Sequence, residues 1–185
     1  MDPAEEIVSL WLQQNGFFIR HNVKVGYRGK EIDFLAVNIA NNKRVHVEVH
    51  ASVFPLGPLR PWSPAKYGKI PLQDRVKYYY LDKFIGPTKK GTGELINRHI
   101  EETAMRILGS DNYEKWLVLG ALHKLDPEEQ LIKEFKKYGV KVFFLRNILK
   151  EIRIGGTAKD HTGRFIQLLA SQLTNEAKEK LLKRK

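Results

Sequence analysis

The chain has 185 residues, 42% of them hydrophobic and 29% charged, which allows one domain with a buried core and argues against wholesale disorder. It contains no Cys, so disulfides, thiolate metal sites and Cys nucleophiles are excluded. Its 32 Lys and Arg against 21 Asp and Glu leave a net charge of +11, the balance expected of a protein that meets a phosphate-rich partner, although a highly charged heat-tolerant protein would look the same.

In chain order, "AEEIVSLWLQQN" (4–15) carries Ile7, Val8, Leu10, Trp11 and Leu12 at helical spacing, with Asp2 and Pro3 before it and Gly16 to stop it. "FFIRHNVKV" (17–25), "EIDFLAVNI" (31–39) and "RVHVEVHA" (44–51) read as strands, the last two joined at Asn41-Asn42 as a hairpin. "VFPLGPLRPWSPAKYGKIP" (53–71) holds five of the eight prolines and can be neither a regular helix nor a central strand. "LQDRVKYYYLDKFIG" (72–86) and "ELINRHIEETAMRILG" (94–109) read as helices, and "KWLVLGAL" (115–122) as a buried central strand. In "DPEEQLIKEFKKYG" (126–139) Asp126 caps, Pro127 opens, acids lead, lysines trail and Gly139 ends a helix. "VKVFFL" (140–145) reads as another buried strand, "NILKEI" is open, and "HTGRFIQLLASQL" (161–173) reads as a helix. The order α-β-β-β-α-α-β-α-β-α predicts an α/β fold: an antiparallel meander, then a strand–helix–strand unit, in one mixed sheet with flanking helices. The expected organisation is a single domain over 1–173 with a Pro-rich insertion at 53–71, followed by a basic tail over 174–185.

No apolar run approaches the roughly 20 residues of a membrane helix, and the opening lacks the pattern of a signal peptide. The expectation is a cytoplasmic protein without membrane association.

Asp33, Glu48 and His50 interrupt segments that otherwise read as buried. An unpaired buried carboxylate costs several kcal/mol, so these residues need a partner, a metal or water. Alternation places Val45, Val47 and Val49 on one face of a strand, and His46, Glu48 and His50 on the other, about 6.5–7 Å apart in succession. If Asn41-Asn42 is a two-residue turn, Ala40 pairs with Lys43, Asp33 falls opposite His50, and Glu48 is its diagonal neighbour. Two carboxylates at that range suit Mg²⁺, which accepts phosphate oxygens and activates water. Metal-dependent phosphodiester hydrolysis uses both the acids and the positive charge.

An acidic N-terminal helix, then "EID" on a strand and "VHVEVH" on the next, resembles the PD-(D/E)XK nuclease superfamily, which includes many restriction enzymes and archaeal Holliday-junction resolvases. "GKEIDFLAV…RVHVEVHAS" looks especially like the small predicted endonucleases of that superfamily. The resemblance covers residues 4–51 well and 115–145 in outline. It implies a restriction-endonuclease-like core and an Mg²⁺- or Mn²⁺-dependent endonuclease acting on DNA ahead of RNA, with a homodimer as one arrangement. It implies that Asp33 and Glu48 are metal ligands, joined by the Val49 carbonyl, and that Glu5 is the helix acid, with Glu6 behind it. His50 stands where the superfamily has Lys. A neutral imidazole can act as general base near pH 7 but holds no permanent charge, so retained cleavage is in question. Lys30, Lys43 and Lys66 are candidates for the missing ammonium. The alternatives are an inactive nucleic-acid binder on the same fold, or a protein-interaction subunit using the loop around Trp62.

Plainer roles compete with these. Glu5 and Glu6 are also what a helix N-terminus favours. His46 is expected at the surface or beside Glu48, though "HVEVH" could make a two-His, one-carboxylate site for Mn²⁺ or Zn²⁺. Arg60, Lys66 and Lys69 in the Pro-rich loop, with Arg75 and Lys77 after it, are weaker candidates for contacting nucleic acid. The last two also fit the outer side of an amphipathic helix whose Val76, Tyr79, Tyr80 and Phe84 face the core.

Overall fold

Ala4, Ile7, Val8, Trp11 and Leu12 make one apolar stripe, and helix α1 (Pro3–Gln14) buries it against the sheet. The computed structural model describes residues 3–26, 29–50, 69–81, 84, 93–120 and 127–152. The expected helix at 161–173, the basic tail and most of the Pro-rich insertion lie outside the described residues. Gly16 closes α1 in the left-handed region (φ 77°). A Cβ at Gly16 would come within 3.3 Å of Asn38 Nδ2, which donates to the Asn15 carbonyl at 2.9 Å, so the corner needs glycine for space as well as for φ.

Strands β1 (Phe17–Lys24), β2 (Glu31–Asn38) and β3 (Lys43–His50) form the antiparallel meander. β4 (Glu114–Leu119) runs parallel to β3, and β5 (Val140–Phe144) parallel to β4, giving one five-stranded mixed sheet in the order β1-β2-β3-β4-β5. The fold class is therefore α/β, as the pattern predicts. The β4–β5 crossover is helix α4 (Glu128–Lys136). Its expected cap Asp126 lies outside the described residues. Pro127 occupies the N-cap position rather than the first turn, and Gly139 follows the helix at φ 69°.

Helices cover both faces. α1 and α5 (Leu145–Glu151, the segment left open by the sequence) pack on Phe34, Ala36, Val45, Val47, Trp116 and Val118. The Trp11 indole donates to Glu151 Oε2 at 2.8 Å and ties these two helices together. On the other face, α3 (Gly93–Leu108) covers Val23, Ile32 and Leu35, while α4 and α2 (Leu72–Arg75 continued by Val76–Tyr80) cover Leu117, Leu119, Val140 and Phe144. Because Trp116–Leu119 of β4 are buried on both faces, that stretch is continuously apolar. β5 is an edge strand: Val140 and Phe144 are buried, but Val142 and Phe143 only half-buried.

Two local expectations are corrected. Helix α2 starts as one α turn (Leu72–Arg75) and widens into a π turn (Val76–Tyr80), closed by Leu81 N–H to the Val76 carbonyl at 3.1 Å. The wider turn brings Val76, Tyr80 and Leu81 onto the sheet together. The β2–β3 connection is four residues long, because Asn38 rather than Ala40 pairs near Lys43. Asn42 takes φ 52° and Asn41 Oδ1 accepts from Lys43 N–H, so the Asn pair does make the turn, with Ile39 and Ala40 inside it.

Candidate functional site

The corrected register decides which acids meet. The last bonded pair is Phe34↔Val47, and the next position counts Asp33 onto Glu48, not His50. The loop gained two residues, so the parity of the β2–β3 pairing is preserved from Lys43 to Val47.

Asp33 sits where the sheet opens. The β1–β2 ladder pairs His21 with Phe34 and Val23 with Ile32, passing over Asn22 and Asp33. Asn22 is left-handed there (φ 52°), a conformation Asn tolerates better than most residues. On the β3 side, Asp33 Oδ2 accepts the Val49 N–H at 2.7 Å. A continued ladder would give that N–H to the Ile32 carbonyl. The carboxylate takes its place, β2 parts from β3, and Ile32 joins Val23 and Val25 under α3. The carbonyl of a strand residue points the same way as its N–H, so the Val49 carbonyl faces the opening too, while the His50 carbonyl turns to β4 and accepts from Gly120 N–H. This opening lies at the carboxyl ends of β3, β4 and β5, where the chain switches from antiparallel to parallel pairing. Open α/β sheets commonly bind ligands at such a place.

Glu48 is next along β3, on the face beneath α2 and α3. Three polar residues, Arg44, His46 and Glu48, run down this face at the seam between two apolar clusters to which β3 contributes nothing. Each needs a partner. The Arg44 Nε–H donates to the Leu108 carbonyl at the end of α3 at 2.9 Å. His46 Nε2 and Glu48 Oε1 lie 2.8 Å apart, each side chain only 1% exposed. The His46 ring packs 4.9 Å from Phe84 and 6.4 Å from Tyr113. Burial, then the Glu101 carboxylate, pushes the Tyr113 phenol up to about 12. Glu101 also pairs with Lys115 at 2.8 Å, tying α3 to β4.

Of the expected site residues, Asp33 accepts the Val49 N–H, and Glu48 falls opposite Asp33 by count along the ladder while its carboxylate is turned to His46. His50 ends β3, half-buried, beside Leu119 of β4. Glu5 lies in the first turn of α1, on the helix that packs against the opposite face from Glu48. Among the described residues no group of three or more His, Asp or Glu is arranged to hold a metal ion. Lys43 is at the far end of β3, paired with Glu114 at 3.0 Å, and so does not replace the missing ammonium. Lys30, just before β2, is half-buried. Arg75 is 6% exposed and its Nη1 donates to the Ile70 carbonyl at 2.6 Å, an internal role rather than the phosphate contact expected. Lys77 is half-buried in the π turn and Lys69 lies in a turn before α2; Arg60 and Lys66 lie outside the described residues.

One feature escaped the sequence reading, the left-handed turn at Asn22, signalled only by Asn inside a strand; of the two places expected for His46, the surface or beside Glu48, the structure takes the second. The oxygen donors of Asp33, Glu48 and the Val49 carbonyl are those Mg²⁺ and Mn²⁺ prefer. No family model, curated protein or solved structure significantly matches the chain. Among the described residues no helix is long and apolar enough to cross a membrane.

Proposed function

We propose that this protein is a divalent-metal-dependent nuclease that hydrolyses DNA phosphodiester bonds at the opening between β2 and β3. One observation carries the reading: Asp33 occupies the place of a ladder carbonyl, bonded to the Val49 N–H, in the register position opposite Glu48. Asp33, Glu48 and the Val49 carbonyl would hold Mg²⁺ or Mn²⁺, which supplies an acidified water and charge compensation for the phosphodiester. His50 ends the same strand and is the chain's own base: its imidazole takes the proton as the water oxygen bonds to phosphorus and the P–O bond to the leaving oxygen breaks. Glu5 adds negative charge from α1. The net charge of +11 draws DNA in by counterion release. A cytoplasmic location belongs to the same reading.

A second reading has a specific observation behind it. Glu48 is fully buried and turned to His46, and among the described residues no three ligating side chains gather. On that reading the chain binds nucleic acid without cutting it. The test is cleavage of duplex and branched DNA with Mg²⁺ or Mn²⁺, by the native protein and by Asp33→Ala and Glu48→Ala. The nuclease reading expects cleavage that both variants reduce to background, and full activity in both overturns it. Salt-sensitive DNA binding with no cleavage in either metal establishes the binder instead.

A further inference from the structure

We infer that His46 is a positioning residue: it fixes the carboxylate of Glu48 for metal binding through the 2.8 Å contact between its Nε2 and Glu48 Oε1. The inference rests on the nuclease reading and adds a residue with no counterpart in the motif that suggested it. Alternation alone puts His46 and Glu48 on one face but does not make them touch, since successive same-face side chains stand about 6.5–7 Å apart at their roots. Contact requires both side chains to lean together, and the surroundings hold the imidazole in that lean. Phe84 is 4.9 Å from the ring and Tyr113 6.4 Å, and the side chain is 1% exposed. Leu35 is its cross-strand partner on β2, and Lys115 its neighbour on β4.

A long acid side chain held only at its backbone samples several rotamers, and ordering it on metal binding opposes that binding. A hydrogen bond to an imidazole already fixed by packing removes that cost in advance. Groups of this kind behind a metal ligand typically matter by about 10–100-fold in affinity. The position of the nitrogen is the specific element. Gln at 46 places an amide nitrogen near the Nε2 position, whereas Asn places one near the Nδ1 position, out of reach of Oε1.

The test is direct titration of the full chain with Mn²⁺ alone, followed by calorimetry, for the native protein, His46→Gln, His46→Asn and His46→Phe, with the melting temperature measured for each. The expected result is that His46→Gln binds Mn²⁺ within a few-fold of the native protein. His46→Asn and His46→Phe should lose about 10–100-fold, without their affinities following their melting temperatures. Equal Mn²⁺ affinity in the Gln and Asn variants, or native affinity in a folded His46→Phe, overturns the inference and leaves the nuclease reading standing. If His46→Phe does not fold, the Gln and Asn pair decides alone. Absence of Mn²⁺ binding in the native protein overturns both.

Discussion

The two faces of β3 pose opposite problems with the same backbone. One face presents Val45, Val47 and Val49 to α1, and its stability comes from area removed from water. The other presents Arg44, His46 and Glu48 to a seam between helices, where every buried polar group depends on a particular partner. The apolar face tolerates small changes because packing is shared among many neighbours. The polar face does not, because the loss of one group strands another.

The sharpest way to break this comparison is to truncate neighbours on the two faces. Glu48→Ala strands a buried His46 nitrogen, at about 1–3 kcal/mol, and adds the cost of the cavity left by the side chain, so it should cost more unfolding free energy than the next variant. Val47→Ala removes two methyl groups and should cost about 2 kcal/mol, from roughly 0.8 per group plus a cavity contribution. Replacing both members of the pair, His46→Leu with Glu48→Leu, should restore most of what Glu48→Ala loses, since an apolar pair of similar volume leaves nothing unsatisfied. Urea unfolding of the four proteins checks the ranking. A Glu48→Ala cost no larger than that of Val47→Ala would mean the pair is not a buried dependency.

The next effect separates fold from chemistry at the opening itself. Asp33→Asn keeps an acceptor oxygen for the Val49 N–H but loses its charge. A hydrogen bond to a charged group contributes more than a neutral one, so the expected cost is roughly 1 kcal/mol. Cleavage should nevertheless fall to background, because the amide is a poor ligand for a hard cation. Melting and cleavage of the same preparation test this. Full cleavage would remove Asp33 from the metal site, and a collapse of stability would make its bond to Val49 primarily structural.

What the sequence made legible follows the same division. Period-two alternation was enough for the three valines of β3, and a continuous apolar run for β4, because burial on one or two faces writes itself into every residue. The beginning and end of α4 were legible within two residues from Pro127 and Gly139, whose backbone preferences are local. The β2–β3 register was not. Ile39 extends the apolar pattern of β2, yet it is 71% exposed in the turn, so the pattern overstated the strand. The π turn was hidden for a different reason. Val76, Tyr80 and Phe84 are spaced as an α-helix would space them, and only the Leu81 N–H bond to Val76 distinguishes the two. At the site, chain spacing gave the identities of the two acids, but the opening depends on one left-handed Asn and on a side chain replacing a carbonyl. Those are tertiary events that alternation cannot encode.

The smallest predicted effect lies at the rim of the apolar face, where polar groups are present but half-wet. Trp116 packs there with Trp11, Phe17 and Phe143, and its indole N–H donates to Glu114 Oε2 at 2.6 Å. Lys43 sits 3.0 Å from Glu114 and 5.0 Å from the Trp116 ring, with Lys141 above the same ring at 5.6 Å. Burial pushes the Glu114 carboxyl up, but the Trp116 N–H, Lys43 and Lys141 together outweigh it and leave it below its ordinary 4.5. A carboxyl with a depressed folded-state pKa contributes stability above its unfolded value and loses it as pH falls through the folded one. The contribution is therefore present at neutral pH and disappears below about pH 4.5. Because the Glu114 side chain is 47% exposed, solvent screening should hold it under about 1 kcal/mol. Glu114→Gln should lower the melting temperature slightly at pH 7, the difference from the native protein should shrink as pH falls below 4.5, and 1 M salt should shrink it at pH 7. Because Gln keeps an acceptor for the Trp116 N–H, a difference that persists well below pH 4.5 would assign the role of Glu114 to its fit among these partners rather than to its charge. The rim would then obey the same partner-by-partner logic as the buried stripe on the other face.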